Sequence, residues 1–247
     1  MGRSIPMPPP GLRSDRLGRG QSLTRGQGVC MYRRSVTGIV ERGKTRDFLA
    51  AMQESVRHQE ERGIRARTTV WGAVSGQTNS VLIASDFSAL EELDKFLDLT
   101  SQDATFAQIR RAVRSQMVYD ASEVSIHRMA YHSDGLISSE DATAPRHFMR
   151  TLSGDVQPGK HREFVMSVSQ ALEYQADRGI DATTSVWSAV TGTTNGVSII
   201  AEFDSLAELE KFDEMAVRDA EFARLRAASR ESMVFLTSHV QLLRNLL

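Results

Sequence analysis

The chain has 247 residues, is 40% hydrophobic and 25% charged, and carries a formal net charge of −1. That length exceeds the roughly 100–150 residues of a typical domain and suits two modest ones, and near-neutrality removes any electrostatic case for nucleic acid or an anionic membrane as partner. The single cysteine, Cys30, excludes an internal disulfide and a cysteine-based metal cluster. No apolar run approaches the roughly 20 residues of a bilayer span, so a soluble, cytoplasmic protein is expected.

Residues 1–30 set Arg3, Arg13, Arg16, Arg19 and Arg25 against one acid, Asp15, among several prolines and glycines. Such a segment buries too little apolar surface to offset chain entropy and is predicted to be a disordered basic extension. It reads as a solvated tail, an Arg-rich organelle transit segment, or sequence upstream of a true start at Met31. Met31 to Val40 then alternates as a strand. Gly43 precedes a helical pattern from Thr45 to Arg62, with Phe48, Ala51, Met52, Ser55 and Val56 at helical spacing and Gly63 as its left-handed cap. Residues 67–75 and 80–87, rich in Val, Ile, Thr and Trp, flank Gly76-Gln77-Thr78-Asn79 and form a hairpin. Leu90, Leu93, Phe96 and Leu97 begin a second amphipathic helix, continued after Asp103 by Phe106, Ile109, Arg110 and Val113. A last strand is predicted from Met117 to about His127.

The same order then repeats. At an offset of 116 residues, positions 36–131 align with 152–247 without a gap, and 39 of the 96 pairs are identical. Among them are Arg62-Gly63-Ile64 with Arg178-Gly179-Ile180 and Val70-Trp71 with Val186-Trp187. A gapless match fixes every turn length, so the two copies share one α+β fold: residues 31–131 and 147–247, joined by a linker at 132–146. Each reads β-α-β-β-α-β, the ferredoxin-like order, whose sheet carries helices on one face only. Two such sheets in one chain can bury their bare faces against each other as an intramolecular α/β barrel.

The hairpin from Val70-Trp71 through Asn79, the run Phe87-Ser88-Ala89-Leu90-Glu91-Glu92 (Phe203-Asp204-Ser205-Leu206-Ala207-Glu208 in the second copy) and Asp103-Ala104-Thr105-Phe106 together resemble the dimeric α/β-barrel superfamily. Within it the likeness is to antibiotic-biosynthesis monooxygenases and NIPSNAP-like proteins, and it spans nearly all of each copy. The resemblance implies a cofactor-independent monooxygenase or cyclase of secondary metabolism acting on an apolar aromatic metabolite. It also implies that this tandem fusion, as monomer or homodimer, does the work of a dimer. A non-catalytic ligand-binding or interaction barrel and a haem-binding protein are the alternatives. For haem, His58, His127, His147, His161 and His239 are the candidate ligands, none within a family motif.

Strand parity names the expected lining. In the last strands Val118, Ser122, Val124 and Ile126, with Val234, Ser238, Val240 and Leu242, fall beneath the helices. Tyr119, Ala121, Glu123, Ser125 and His127, with Phe235, Thr237, His239 and Gln241, then face inward. So do Thr69, Trp71 and Ala73, and Leu82, Ala84 and Asp86. Trp71 and Trp187 sit at matched positions suited either to flanking an aromatic ligand or to plain packing. Asp86 and Glu202 are matched acids whose burial would raise their pKa toward general-base values, unless they are strand-end acids in water. Where the copies differ, chemistry can reside in one half: Glu123 against His239, Tyr119 against Phe235, His58 against Tyr174. His239, Glu123, Asp86 and Glu202 are therefore the candidate catalytic groups, and Trp71, Trp187, Tyr119, Phe235 and Thr69 the candidate substrate contacts. Arg34 and Arg150, matched on the first strands, are either solvated or anion-binding. There is no phosphate loop: Gly154-Asp155-Val156 and Gly159-Lys160 form a strand-to-helix connection without the glycine and Ser/Thr of a nucleotide loop. No metal-ligand spacing is present.

Overall fold

The computed structural model describes residues 31–118, 122–134 and 146–247, apart from the side chains of residues 235–237. The basic extension, Tyr119, Ala121 and most of the expected linker lie outside the described residues. The elements run β1 (Tyr32–Ile39), α1 (Thr45–Glu61), β2 (Ala66–Ala73), β3 (Ser80–Phe87), α2 (Leu90–Gln102), α3 (Ala104–Arg114) and β4 (Glu123–His132). The order recurs as β5 (Phe148–Val156), α4 (His161–Asp177), β6 (Thr183–Ala189), β7 (Gly196–Phe203), α5 (Leu206–Arg218), α6 (Ala220–Glu231) and β8 (Met233–Asn245).

Local chemistry sets the boundaries. Gly63 takes a φ of +73° after α1, so that its N–H reaches Glu60 O at 2.9 Å and that of Ile64 reaches Gln59 O at 3.0 Å. This double closure satisfies carbonyls the helix would otherwise leave open, and the left-handed backbone it needs favours glycine. Gly179 repeats it after α4, with a φ of +75°. The second predicted helix is in fact two. Asp103 leaves helical geometry at ψ 110° and its carboxylate accepts the Phe106 N–H at 2.8 Å, capping α3; Asp219 does the same for α6. Removing such a cap costs about 0.5–2 kcal/mol. The last strand of the first copy also differs from expectation. Met117 makes only an isolated bridge with Val40, and the strand proper runs five residues past His127 to His132.

That extra length closes the barrel. β4 pairs with β1 through Glu123–Arg128 and with β6 through His127–His132, with a bulge between Met129 and Tyr131. β8 likewise bridges β5 and β2, giving the closed order β1-β3-β2-β8-β5-β7-β6-β4 with every neighbour antiparallel. The two seams match across the repeat, Trp71 opposite Asn245 and Trp187 opposite Met129. Antiparallel pairing of β2 with β8 and of β4 with β6 relates the halves by rotation about the barrel axis. Both hairpins therefore lie at one end of the barrel, and the starts of β1 and β5 at the other.

Outside the barrel, Phe48 and Met52 of α1 and Val113 of α3 pack on Val70, Val81 and Ile83, and Phe164 and Val168 of α4 pack on Val186 and Val197. Truncating the fully buried Phe48 to alanine would cost about 3–5 kcal/mol. The seam strands lace the halves together: Leu246 packs into the helix core of the first half and Tyr131 into that of the second. Their outward parity is as expected, but the helices do not cover all of it. Val124 and Val240 are 53% and 56% exposed, because the hairpin-proximal parts of β4 and β8 reach beyond the helical layer. Among the described residues no helix is long and apolar enough to cross a membrane.

Candidate active site

The barrel interior is half filled. Met31, Trp71, Met149, Trp187, Ile200 and Leu243 form its apolar core, and beside them lies a cavity of about 570 Å³, inside the range of about 300–1,000 Å³ typical of small-molecule sites. Strand registers give it depth. Arg33, His127, Trp187 and Ile200 lie toward the end where β1 begins. Ser35, Ser125, Thr151, Ser198 and Gln241 make the middle. Thr37, Glu123, Ser153, Asp155 and His239 stand at the hairpin end, with Thr191 and Thr193 of the β6–β7 turn. From Arg33 to Thr37 a strand advances about 13 Å.

The floor is ionic. Arg33, 6% exposed, donates through Nε and Nη2 to the two carboxylate oxygens of Asp86 at 2.6 and 2.8 Å, and its guanidinium carbon lies 4.3 Å from the centre of the Trp187 ring. Burial alone would lower the pKa of Arg33, but the carboxylates of Asp86 and Glu202 outweigh it and hold the guanidinium above its ordinary value. Behind this plug sits a second space of about 20 Å³, lined by Arg67, Asp86, His132, Thr183, Ser185 and Glu202, enough for about one water molecule. Burial raises the pKa of Glu202 against the pull of Arg33 and of Arg67, whose Nη2 stands 3.8 Å away. His127 is directly opposite Arg33 in the β1–β4 register. Burial, aided by the Arg33 charge, depresses its pKa, so the imidazole is neutral at pH 7 and free to accept a proton.

The expected site residues separate into three groups. Glu123, His239 and Trp187 line the cavity, the first two exposed at its mouth. Asp86 and Glu202 are buried, not strand-end acids in water, but they face the small space behind the plug, and Asp86 is committed to Arg33. Trp71 is 1% exposed and packs within the apolar core, its indole N–H donating to Thr69 Oγ1 at 2.9 Å; neither residue is among those lining the cavity. The matched Trp187 donates to Ser185 Oγ at 2.8 Å, so each hydroxyl fixes an indole. Phe235 lies in β8, but its side chain, like Tyr119, is outside the described residues.

Other candidates leave the barrel interior. His58 stacks on Phe106, its Nε2 3.4 Å from Asp103, while Tyr174 stacks on Phe222 and donates to Asp219. The two differ in type yet brace the same helix cap. Arg34 and Arg150 are neither solvated nor in the cavity: their guanidinium groups stack on Phe96 and Phe212 beneath the helices, and burial, with Arg110 and Arg114, lowers the Arg34 pKa to about 10. His147 meets the Asp204 carbonyl and His161 the Ser188 hydroxyl. Of the five histidines considered for haem, only His127 and His239 face the cavity, and its middle is walled by Ser35, Ser125, Thr151 and Ser198, which ill suit the broad apolar faces of a porphyrin. Among the described residues no group of three or more His, Cys, Asp or Glu could hold a metal ion.

Arg33 and His127 were not singled out as a functional pair from the sequence, although a signal exists. Across the repeat Arg33 corresponds to Met149, His127 to Leu243 and Asp155 to Ile39. Where one half supplies a cation, an imidazole and a carboxylate to the cavity, its counterpart supplies aliphatic groups, two of which fill the opposite side of the interior.

No protein-family model matches the chain, and no curated relative matches it. Similarity to solved structures is extensive but remote. A candidate monooxygenase from Fusobacterium nucleatum subsp. nucleatum superposes with a TM-score of 0.62 at 12% identity, covering 90% of this chain and 94% of its own. A candidate monooxygenase from Lactobacillus acidophilus NCFM gives 0.62 at 10% identity, covering 87% and 93%. An anthrone oxidase-like protein gives 0.58 at 12% identity, covering 90% and 93%. The chain thus has the α/β-barrel fold of monooxygenase-like proteins.

Proposed function

We propose that the barrel is a small-molecule enzyme, a cofactor-independent monooxygenase or cyclase, that deprotonates an aromatic carbon acid or phenol at the floor of the cavity, and that its two halves are one duplicated ferredoxin-like unit. The observation that carries this reading is the juxtaposition of a neutral, half-buried His127 with the fixed Arg33 cation and the Trp187 face. Trp187, with Arg33 over its ring, borders the seat of the substrate ring, His127 takes the proton, and the guanidinium stabilises the oxyanion onto which the resulting charge is delocalised. His239 and Glu123, at the mouth, are placed to pass protons to and from solvent.

In the oxygenase version the carbanion gives its electrons to dioxygen and a C–O bond forms. The hydroperoxide then loses water as its O–O bond breaks, so that CH₂ and O₂ become C=O and H₂O. A hydroxyanthrone is the probe, with oxygen uptake and quinone absorbance as readouts. Turnover that falls at least about a hundredfold in His127→Gln, consistent with loss of a general base, is expected. Unchanged turnover in both His127→Gln and Arg33→Met would refute the assignment.

A further inference from the structure

We infer that the ligand of this cavity is an aromatic ring carrying a sugar or similar polyol arm, an aryl glycoside rather than a bare aromatic. The inference rests on the cavity being the substrate site and concerns what its upper part recognises. Above the Trp187 floor the walls mix aliphatic side chains, among them Leu82, Ala189 and Val197, with hydroxyls. They present the hydroxyls of Ser35, Thr37, Ser125, Thr151, Ser153 and Ser198, from the four strands β1, β4, β5 and β7. Ser153 and Ser198 bond each other at 2.9 Å. Among the described residues, the hydroxyls of Ser35, Thr37, Ser125 and Thr151 make no hydrogen bond to the protein.

A hydroxyl lining an open cavity is met by water, and a ligand that displaces that water has to replace its hydrogen bonds. The polar choice stands in both halves: Ser35 corresponds to Thr151, Thr37 to Ser153 and Ser125 to Gln241. Hydroxyls both donate and accept, which suits a partner made of hydroxyls, whose own groups do the same. A planar aromatic, by contrast, offers these walls mainly its apolar edges. The vertical order agrees: Trp187 at the bottom, and hydroxyls from the middle to the mouth, where Ser35 to Thr37 spans about 7 Å. A ring beside Trp187 with a sugar extending toward the hairpins places each part of the ligand against like chemistry.

The test is calorimetric titration of the full chain with a hydroxyanthraquinone, with its O-glucoside, and with glucose alone, following Trp187 emission to confirm entry. Binding of the glucoside about tenfold tighter than the aglycone is expected. Thr151→Val and Ser198→Ala should each erode that preference while changing aglycone affinity less than about twofold, and Thr151→Ser, which keeps the hydroxyl, should retain it. An aglycone that binds as tightly as its glucoside overturns the glycoside inference and leaves the proposed enzyme intact. Failure of both to bind, together with no turnover of the hydroxyanthrone, overturns both.

Discussion

Asp86→Asn tests the ionic floor on which the site stands. The Arg33 guanidinium is 6% exposed and its strongest contacts are the two bonds from Asp86, at 2.6 and 2.8 Å. Replacing the carboxylate leaves a buried cation whose nearest remaining compensation is the Trp187 face and Glu202, a situation that typically costs about 3–5 kcal/mol. At roughly 2–4 °C per kcal/mol for a chain of this size, the melting temperature should fall by about 6–20 °C. Arg33→Met should cost a similar amount by stranding Asp86. The double variant Arg33→Met/Asp86→Leu removes both charges and makes the position resemble Met149 of the other half, so it should recover most of the loss, because an apolar pair of similar volume often does as well as a buried ion pair. Urea denaturation followed by circular dichroism, run as a double-mutant cycle, measures the coupling directly. A melting temperature within about 2 °C of the parent for Asp86→Asn, or a double variant no better than the singles, would show that the pair does not define the floor. The recovered double variant should still lack turnover, since it restores packing without the cation.

Three further outcomes follow from the same geometry. The lowered pKa of His127 keeps it deprotonated down to below the ordinary imidazole value of about 6.5, so the acid limb of kcat/KM should fall below that pH and vanish in His127→Gln; a limb above it would point to another base. Glu202 has a raised pKa from burial: its folded form holds a proton that the unfolded chain releases above about pH 4.5, so its contribution to stability is complete below that pH and is lost as pH rises through the folded value. Glu202→Gln should therefore match the parent in acid and gain on it toward neutrality in pH-dependent melts, and a constant difference across the range would contradict this. Only Trp187 of the two tryptophans lines the cavity, so an aromatic ligand should quench the emission of a Trp71→Phe variant and leave that of Trp187→Phe nearly unchanged.

Much of the architecture is legible because it rests on local, repeated chemistry. Gly63 and Gly179 announce helix ends through a backbone only glycine adopts cheaply, and the gapless alignment carries every such boundary from one half to the other. Strand parity correctly turned Glu123, Ser125, His127, His239 and Gln241 inward. What escaped is set by tertiary geometry. Whether Asp103 lies within a helix or caps the next depends on how α2 and α3 pack on the sheet, and the exposure of Val124 depends on where the helices stop. Parity likewise marks both Trp71 and Trp187 as interior, and both are 1% exposed within the same apolar core, but only packing decides that Trp187 also borders the cavity.

The broken symmetry explains why one cavity can serve a barrel whose two halves repeat in sequence. With the axis relating the halves along the barrel itself, a symmetric interior would place two equivalent half-sites side by side and bring two cations and two imidazoles together in one low-dielectric space. Their mutual repulsion and desolvation would depress each pKa and cost stability. Substituting Met149 for one arginine and Leu243 for one histidine removes that conflict, and the same two side chains fill the opposite side with apolar volume. The Arg33–Asp86 pair then needs no second cation at the matching place, because Arg67, which corresponds to Thr183, reaches across to Glu202 instead. Met149 and Leu243, packed with Trp71, thus back the side opposite Arg33 and His127 with apolar volume near the floor, while His239 of β8 still reaches the cavity nearer the mouth.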